Sequence, residues 1–259
     1  MIQLRSDREI KLMRRSGLVV WKALQAAGET VRAGTTTAEI DAAVERVFEE
    51  HGAEPLFKGV PGKVPFPAAT CVSVNEQVVH GIPGRRKLRD GDIVSIDTGC
   101  RIDGWCGDSA WTFPVGRISP QNQKLLDVTL QSLEIAIEAV GRKPRWSQVA
   151  QEIADFVRSH GFSVVESMSG HGVGRELHEP PQYPNYVNAK IKEEDVLLRT
   201  GLVIAIEPMV NLGKKETRVL PDHWTIVASD GKPSAHFEHT VALTKDGPLR
   251  LTAAPHPGE

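Results

Sequence analysis

The sequence predicts an α/β (α+β) fold built from two pseudo-symmetric halves, roughly residues 6–120 and 121–250, within a single domain spanning 1–259. Three observations predict it. A β-hairpin in the first half carries two aspartates on one face. A helix recurs with the same apolar pattern at an offset of 109 residues, and a strand ending in an acidic residue recurs at an offset of 110.

The hairpin runs from Ile93 to Phe113. Asp103-Gly104 at its centre favours the positive φ angles of a two-residue turn, and apolar and β-branched residues flank it. Pairing across that turn sets Ile102 opposite Trp105, Gly99 opposite Asp108 and Asp97 opposite Ala110. Side chains alternate along a strand, so Asp97 and Asp108 become diagonal neighbours on one face. Buried like charges need a cation or a proton to compensate them. From the hairpin alone, a divalent-metal site and a turn cap or surface partner of an arginine are equally good readings.

Around the hairpin the elements follow in order. Ser6 and Glu9 have capping-box spacing, and Ile10, Met13, Val20 and Leu24 give a helix to about Ala27 its apolar stripe. The threonines after Gly34 can cap a second helix, Ala38 to about Glu50, ended by His51-Gly52. Residues 53–67, rich in Gly and Pro, read as a loop, and Cys71 to His80 as a strand stopped by Gly81-Ile82-Pro83-Gly84. The basic run Arg85 to Arg89 reads as a solvated turn.

From Gln121 the pattern begins again. Leu125 to Val140 has helical spacing, and Ser147 is expected to cap a helix from Val149 to Ser159, ended by His160-Gly161. Ile40, Val44, Val47, Phe48 and His51-Gly52 match Val149, Ile153, Phe156, Val157 and His160-Gly161 at the offset of 109. Gly91 to Asp97 matches Gly201 to Glu207 at the offset of 110. An internal duplication would place Asp97 and Glu207 in equivalent strands, with Asp108 and Glu238 in strands that follow them, and bring four carboxylates to one centre.

Composition narrows the class. With 259 residues, 40% hydrophobic, the chain can bury a core without disulfides. A formal net charge of −2 gives no positive field for nucleic acid. Cys71, Cys100 and Cys106 make no CxxC pair and are expected as free thiols of a reducing cytosol. The N-terminus is charged where a signal peptide is apolar, and no run of about 18 apolar residues occurs, so a complete cytoplasmic chain without membrane contact is expected.

The second chemical stretch is Ser169 to Pro181, with His171 and His178 among glycines. It lacks both the final spacing of a dinucleotide loop and the Lys-Ser/Thr of a phosphate loop. His51 and His160 read as surface or satisfied structural residues. Two aspartates, two glutamates and a histidine together offer hard oxygen ligands plus one nitrogen, which suits a pair of ions such as Mn, Fe, Co or Zn. Bridging carboxylates can hold two such ions about 3.5–4 Å apart with a shared hydroxide.

The ordered set Asp97, Asp108, His171, Glu207 and Glu238, with His80 in Val-His-Gly-Ile-Pro and His178 in Leu-His-Glu-Pro, resembles bacterial type I methionine aminopeptidase over nearly the whole chain. The resemblance implies the pita-bread fold around a dinuclear metal centre. It also implies removal of the initiator methionine from nascent polypeptides whose second residue is small. By similarity, Asp97 chelates one ion, Asp108 and Glu238 bridge both, and His171 and Glu207 hold the other. The cofactors would be two divalent ions (Co, Mn, Fe, Zn or Ni) and the nucleophile a bridging water. Glu207 would shuttle a proton, His178 would hydrogen-bond the oxyanion, and His80 would contact the scissile amide or the leaving side.

The family's methionine pocket maps onto Phe66, Cys71 and Trp224, with His80, Leu177 and His178 around it. Leu177 and Lys63 stand where relatives often carry aromatic residues. The partners implied are nascent polypeptide N-termini and the ribosome, and the implied state is a cytoplasmic monomer. Two other functions compete: a proline-specific peptidase of the same fold, which typically carries an extra N-terminal domain, and a non-catalytic binding protein, which tends to lose ligands.

Overall fold

The structure, a computed structural model, describes residues 2–255. The first segment comprises α1 (Asp7–Thr30), α2 (Thr37–Glu50), β1 (Glu54–Pro55), β2 (Thr70–Val74), β3 (Gln77–Val79), β4 (Ile93–Ile102) and β5 (Trp105–Pro114). The second opens with α3 (Pro120–Val140), α4 (Trp146–Ser159), β6 (Ser163–Val164), β7 (Gly170–Gly172), β8 (Glu179–Tyr183) and α5 (Ala189–Glu193). It continues through β9 (Val203–Ile206), β10 (Met209–Asn211), β11 (Thr217–Val219), β12 (Ile226–Ala228), β13 (Ser234–His236), β14 (His239–Thr244) and β15 (Gly247–Arg250).

In the first segment β4 is the spine of a sheet, with β5 along one side and β2 and β1 in succession along the other. Helices α1 and α2 cover this sheet, burying Val20, Leu24, Ile40, Val44 and Phe48 against Val72, Val94 and Ile96. In the second segment the order β15-β14-β9-β7-β8 forms a sheet covered by α3 and α4. There Leu133, Ile137, Trp146 and Ile153 pack on Ile204, Ile206 and Val241. Each large side chain so buried contributes about 1.5–3 kcal/mol.

The repeat read from the sequence has a structural counterpart at its ends. The His51 ring Nδ1 donates to the Val47 carbonyl at 2.9 Å, and the His160 Nδ1 donates to that of Phe156 at 2.9 Å. Gly52 and Gly161 then leave their helices at φ of +59° and +84°. These histidines are helix-ending devices. Strands β4 and β9 likewise follow glycines in the left-handed region, Gly91 at φ +93° and Gly201 at φ +95°.

Most local expectations hold. The capping box of Ser6 and Glu9 is formed, Thr36 and Glu39 make a second one, and the basic run is an exposed turn pinned by buried Leu88. Five expectations change. Asp97 does not end its strand, since β4 runs on to Ile102, and the 53–67 loop carries the short strand β1, which pairs with β4. The 71–80 strand is two, because Asn75 at φ +55° breaks it: β2 pairs with β4, whereas β3 pairs with β12. Helix α3 begins at Pro120, capped by Ser119, earlier than its apolar stripe suggested. Ser147 does not cap α4; Arg145 stands at the N-cap without a side-chain bond, and Asp195 takes the Ser147 backbone N–H at 3.0 Å and its hydroxyl at 2.6 Å.

The two segments meet along a polar seam between β5 and the stretch from β13 into β14. Glu238 N–H donates to the Ala110 carbonyl at 2.9 Å, and the Thr240 hydroxyl donates to that of Asp108 at 2.7 Å. The Thr112 hydroxyl bonds the His236 carbonyl at 2.7 Å and receives the His236 N–H at 2.9 Å. Asp108 and Glu238 therefore sit on the seam itself.

Candidate active site

Beside the seam opens a cavity of about 890 Å³, and every site residue read from the sequence lines it. The hairpin delivers the first carboxylates in the expected register: Gly99 faces Asp108, Asp97 faces Ala110, and Ile102 faces Trp105. Glu207 follows directly after β9, and Glu238 directly precedes β14. Because His239 pairs with Ile206, the two glutamates leave the same end of that strand pair.

His171 arrives on β7, held between β8 and β9. The approach is close enough to need Gly170, where a Cβ would lie 2.3 Å from the Ala205 carbonyl oxygen. The His171 Nδ1 faces the Gly172 carbonyl at 3.0 Å, and a carbonyl only accepts, so Nδ1 carries the proton. Nε2 is then a lone pair, 3.4 Å from Glu207 Oε1 and 3.6 Å from Asp108 Oδ2. Burial, with the charge of His178 adding to it, lowers the His171 pKa to about 3, so these contacts are not ion pairs at neutral pH.

The carboxylates are under the opposite stress. Burial raises Asp97 to about 7. It pushes Asp108, Glu207 and Glu238 well above the usual carboxylate range, with the charges of their neighbours pushing further. Asp97 Oδ1, Asp108 Oδ1 and Glu238 Oε1 are buried without a hydrogen-bond partner. Ligand atoms of His171, Glu207 and Glu238 lie within 4.8 Å of one another, as do those of Asp97, Asp108 and Glu238, and those of Asp108, His171 and His178. Four acidic groups, orphaned oxygens and an aimed imidazole lone pair fit divalent metal, and Asp108 and Glu238 each belong to more than one set.

Two histidines stand over the cluster. His178 stacks edge-on against His171, with centroids 4.3 Å apart. His80 occupies the left-handed region at φ +58°, an uncommon backbone state for a non-glycine residue. Burial, then the charge of His178, lowers its pKa to about 4, and burial lowers that of His178. Both are neutral donors or acceptors at pH 7.

Phe66, Cys71 and Leu177 join in one apolar cluster, with Trp224 packed against it. Phe66 and Trp224 meet edge to face at 5.3 Å, and the indole N–H donates to the Val64 carbonyl at 2.7 Å. Leu177 is buried and walls the cavity; Lys63 is exposed and stands outside it.

Two contributions escaped the sequence reading. His236 is buried beside Glu207 and Glu238, and its place two residues before Glu238 was the available signal. Arg5 forms a buried ion pair with Glu179, next to His178, and no local pattern links residues so far apart.

Comparison with known proteins decides the family. The model of metallopeptidase family M24 matches residues 11–245. The chain belongs to that family. It is 45% identical to a methionine aminopeptidase of Clostridium perfringens, over 97% of this chain and 99% of the relative. The crystal structure of methionine aminopeptidase from Thermotoga maritima superposes with a TM-score of 0.92 at 41% identity, covering 98% of this chain and 100% of that one. A prolidase from Pyrococcus furiosus shares the M24 fold, with a TM-score of 0.76 at 24% identity, and the match covers 98% of this chain but 66% of that one. This is the pita-bread fold that the resemblance implied. Among the described residues no helix is long and apolar enough to cross a membrane.

Proposed function

We infer that this M24 chain is a metal-dependent aminopeptidase that removes the initiator methionine from new polypeptides when the second residue is small. The observation that carries the reading is the cluster of Asp97, Asp108, His171, Glu207 and Glu238 in one cavity with the apolar wall of Phe66, Cys71, Leu177 and Trp224. That wall suits an unbranched thioether side chain next to the reacting amine.

The ligand roles follow. Asp97 would hold one divalent ion, His171 and Glu207 would hold a second, and Asp108 and Glu238, the residues on the seam, would serve both. Bound divalent metal, whether Co, Mn, Fe, Zn or Ni, supplies Lewis acidity toward the scissile carbonyl and lowers the pKa of water. Glu207 accepts the proton of the attacking water and passes it to the departing amine. Neutral His178 donates a hydrogen bond to the oxyanion of the tetrahedral intermediate. His80 orients the scissile amide or the residue that leaves. The apolar wall excludes water and fixes the methionine.

The substrate is the N-terminus of a nascent polypeptide. We place the reaction in the cytoplasm, in a monomer working at the ribosome as one catalytic domain; buried free Cys71, Cys100 and Cys106 support a reducing compartment. The two competing functions are not favoured. The methionine aminopeptidases compared match over nearly their own full length, whereas the prolidase match covers 66% of that chain, and none of the five candidate ligands is missing.

Hydrolysis of Met-Ala-Ser against Xaa-Pro peptides, with each metal in turn, tests the reading. Release of methionine that depends on added metal is the expected result. Cleavage restricted to Xaa-Pro, or no metal uptake, would overturn it.

A further inference from the structure

His236 is the one histidine of the central cluster to which the mechanism gives no task. It ends β13 at 1% exposure, with its backbone clamped on both sides by the Thr112 hydroxyl. Its Nε2 has no hydrogen-bond partner. The groups nearest that nitrogen are two carboxylate oxygens, Glu207 Oε2 at 3.7 Å and Glu238 Oε2 at 4.0 Å. Glu207 is thus flanked by two imidazoles, with His171 Nε2 on Oε1 at 3.4 Å and His236 Nε2 on Oε2.

The two imidazoles differ in what they can offer. His171 has its proton committed to the Gly172 carbonyl, which leaves a lone pair toward the centre. His236 faces carboxylate acceptors, so the useful tautomer there carries the proton on Nε2. A buried N–H aimed at the outer oxygen of a ligating carboxylate is the arrangement that orients metal ligands from outside the coordination shell. The Glu207 backbone is held as well, since Asn185 Nδ2 donates to its carbonyl at 3.0 Å.

We propose that His236 is a positioning residue of the metal centre, whose Nε2–H fixes the outer oxygens of Glu207 and Glu238 so that both carboxylates present their other oxygens to metal. The proposal rests on the reading of those glutamates as ligands. Its consequence is selective: the ion held by His171 and Glu207 should depend on His236 more than the ion held by Asp97.

Calorimetric titration of the metal-free protein with Mn²⁺ or Co²⁺ tests this, together with the Co²⁺ absorption spectrum and the melting temperature of the metal-free form. His236→Leu fills the space without an N–H, whereas His236→Gln keeps a donor. The expected result is a loss of about 10–100-fold in affinity for one ion in His236→Leu, with an altered Co²⁺ spectrum. His236→Gln should recover most of that loss. Unchanged binding of both ions by His236→Leu would overturn the proposal. So would equal loss in both variants, with equally lowered melting temperatures, which would make His236 a packing residue. A wild-type protein that takes up no metal would instead sink the proposed function, and this inference with it.

Discussion

Strand β4 passes into β5 through Asp103-Gly104 alone, whereas β9 reaches its partner β14 only after residues 207–238, which contain β10 to β13. Both strand pairs present two carboxylates to the same centre. In the first pair the tight turn locks the register, so the position of Asp108 follows from that of Asp97. In the second pair, strand pairing brings Glu207 and Glu238 together, and the chain between them is free to do other work. It carries Trp224 to the pocket wall and His236 to the back of the glutamates. The first pair gives the cavity its two aspartates, which the proposed function reads as metal ligands. The connection in the second pair also lines the cavity through Trp224 and places His236 beside both glutamates.

The comparison breaks first at the seam. Asp108 belongs to two of the residue groups that could hold a metal ion, so under the proposed function Asp108→Ala should lose at least one ion and nearly all activity, as read by metal analysis and Met-Ala-Ser hydrolysis. A fully active variant with intact metal content would remove the hairpin from the site. Next in size is His178→Ala. This side chain is proposed to act on the oxyanion and not to hold metal, so kcat should fall by about 10²–10³ with metal content unchanged. An equal loss of metal would move His178 into the ligand set.

Metal removal gives an effect of intermediate size with a definite sign. In the metal-free protein burial raises Asp97 to about 7, and the unfolded chain releases that proton near the ordinary carboxylate pKa of about 4. As pH rises between these values the unfolded state loses the proton first, so the folded state loses stability across about pH 4–7 and levels off above it. Asp108, Glu207 and Glu238, also raised, extend the decline in the same direction. Melting temperatures of the chelator-treated protein should fall over that window, and added metal should flatten the curve. A metal-free protein that instead grows more stable from pH 4 to pH 7 would refute the buried, uncompensated state of the cluster.

The smallest effect belongs to the pocket. Leu177 walls the cavity while its Cδ1 packs near Gly99, 3.0 Å from where a Cβ would stand. Leu177→Phe should shift KM for Met-Ala-Ser more than kcat, because S···aromatic contacts are worth only about 0.3–1.5 kcal/mol and are made equally in ground and transition states. A marked fall in melting temperature at unchanged KM would show that the added ring overpacks against Gly99, at about 1–3 kcal/mol, and that the pocket role is wrong.

What could be read from the sequence was what short-range geometry dictates. The hairpin register, the Ser6–Glu9 box and the His-Gly helix ends depend on residues a few positions apart, so spacing alone was enough. The pocket was legible only through the family resemblance, since Phe66, Cys71 and Trp224 share no periodicity that would unite them. Where a remote partner competes, local reading failed. Ser147 has the chemistry of a cap, but Asp195 supplies the stronger acceptor from a distant loop. Asn75 lies inside an apolar run, but its strands belong to different sheets.

The sequence by itself determined that Asp97 and Asp108 share one face of a hairpin, because a two-residue turn leaves few other registers. Only the tertiary structure decided that Asp108 and Glu238 share one seam, that Arg5 holds Glu179 beside His178, and that His236 stands behind Glu207. Those contacts join parts of the chain up to 174 residues apart. Their geometry is set by how two helix-covered sheets pack against each other, and no local spacing encodes that packing.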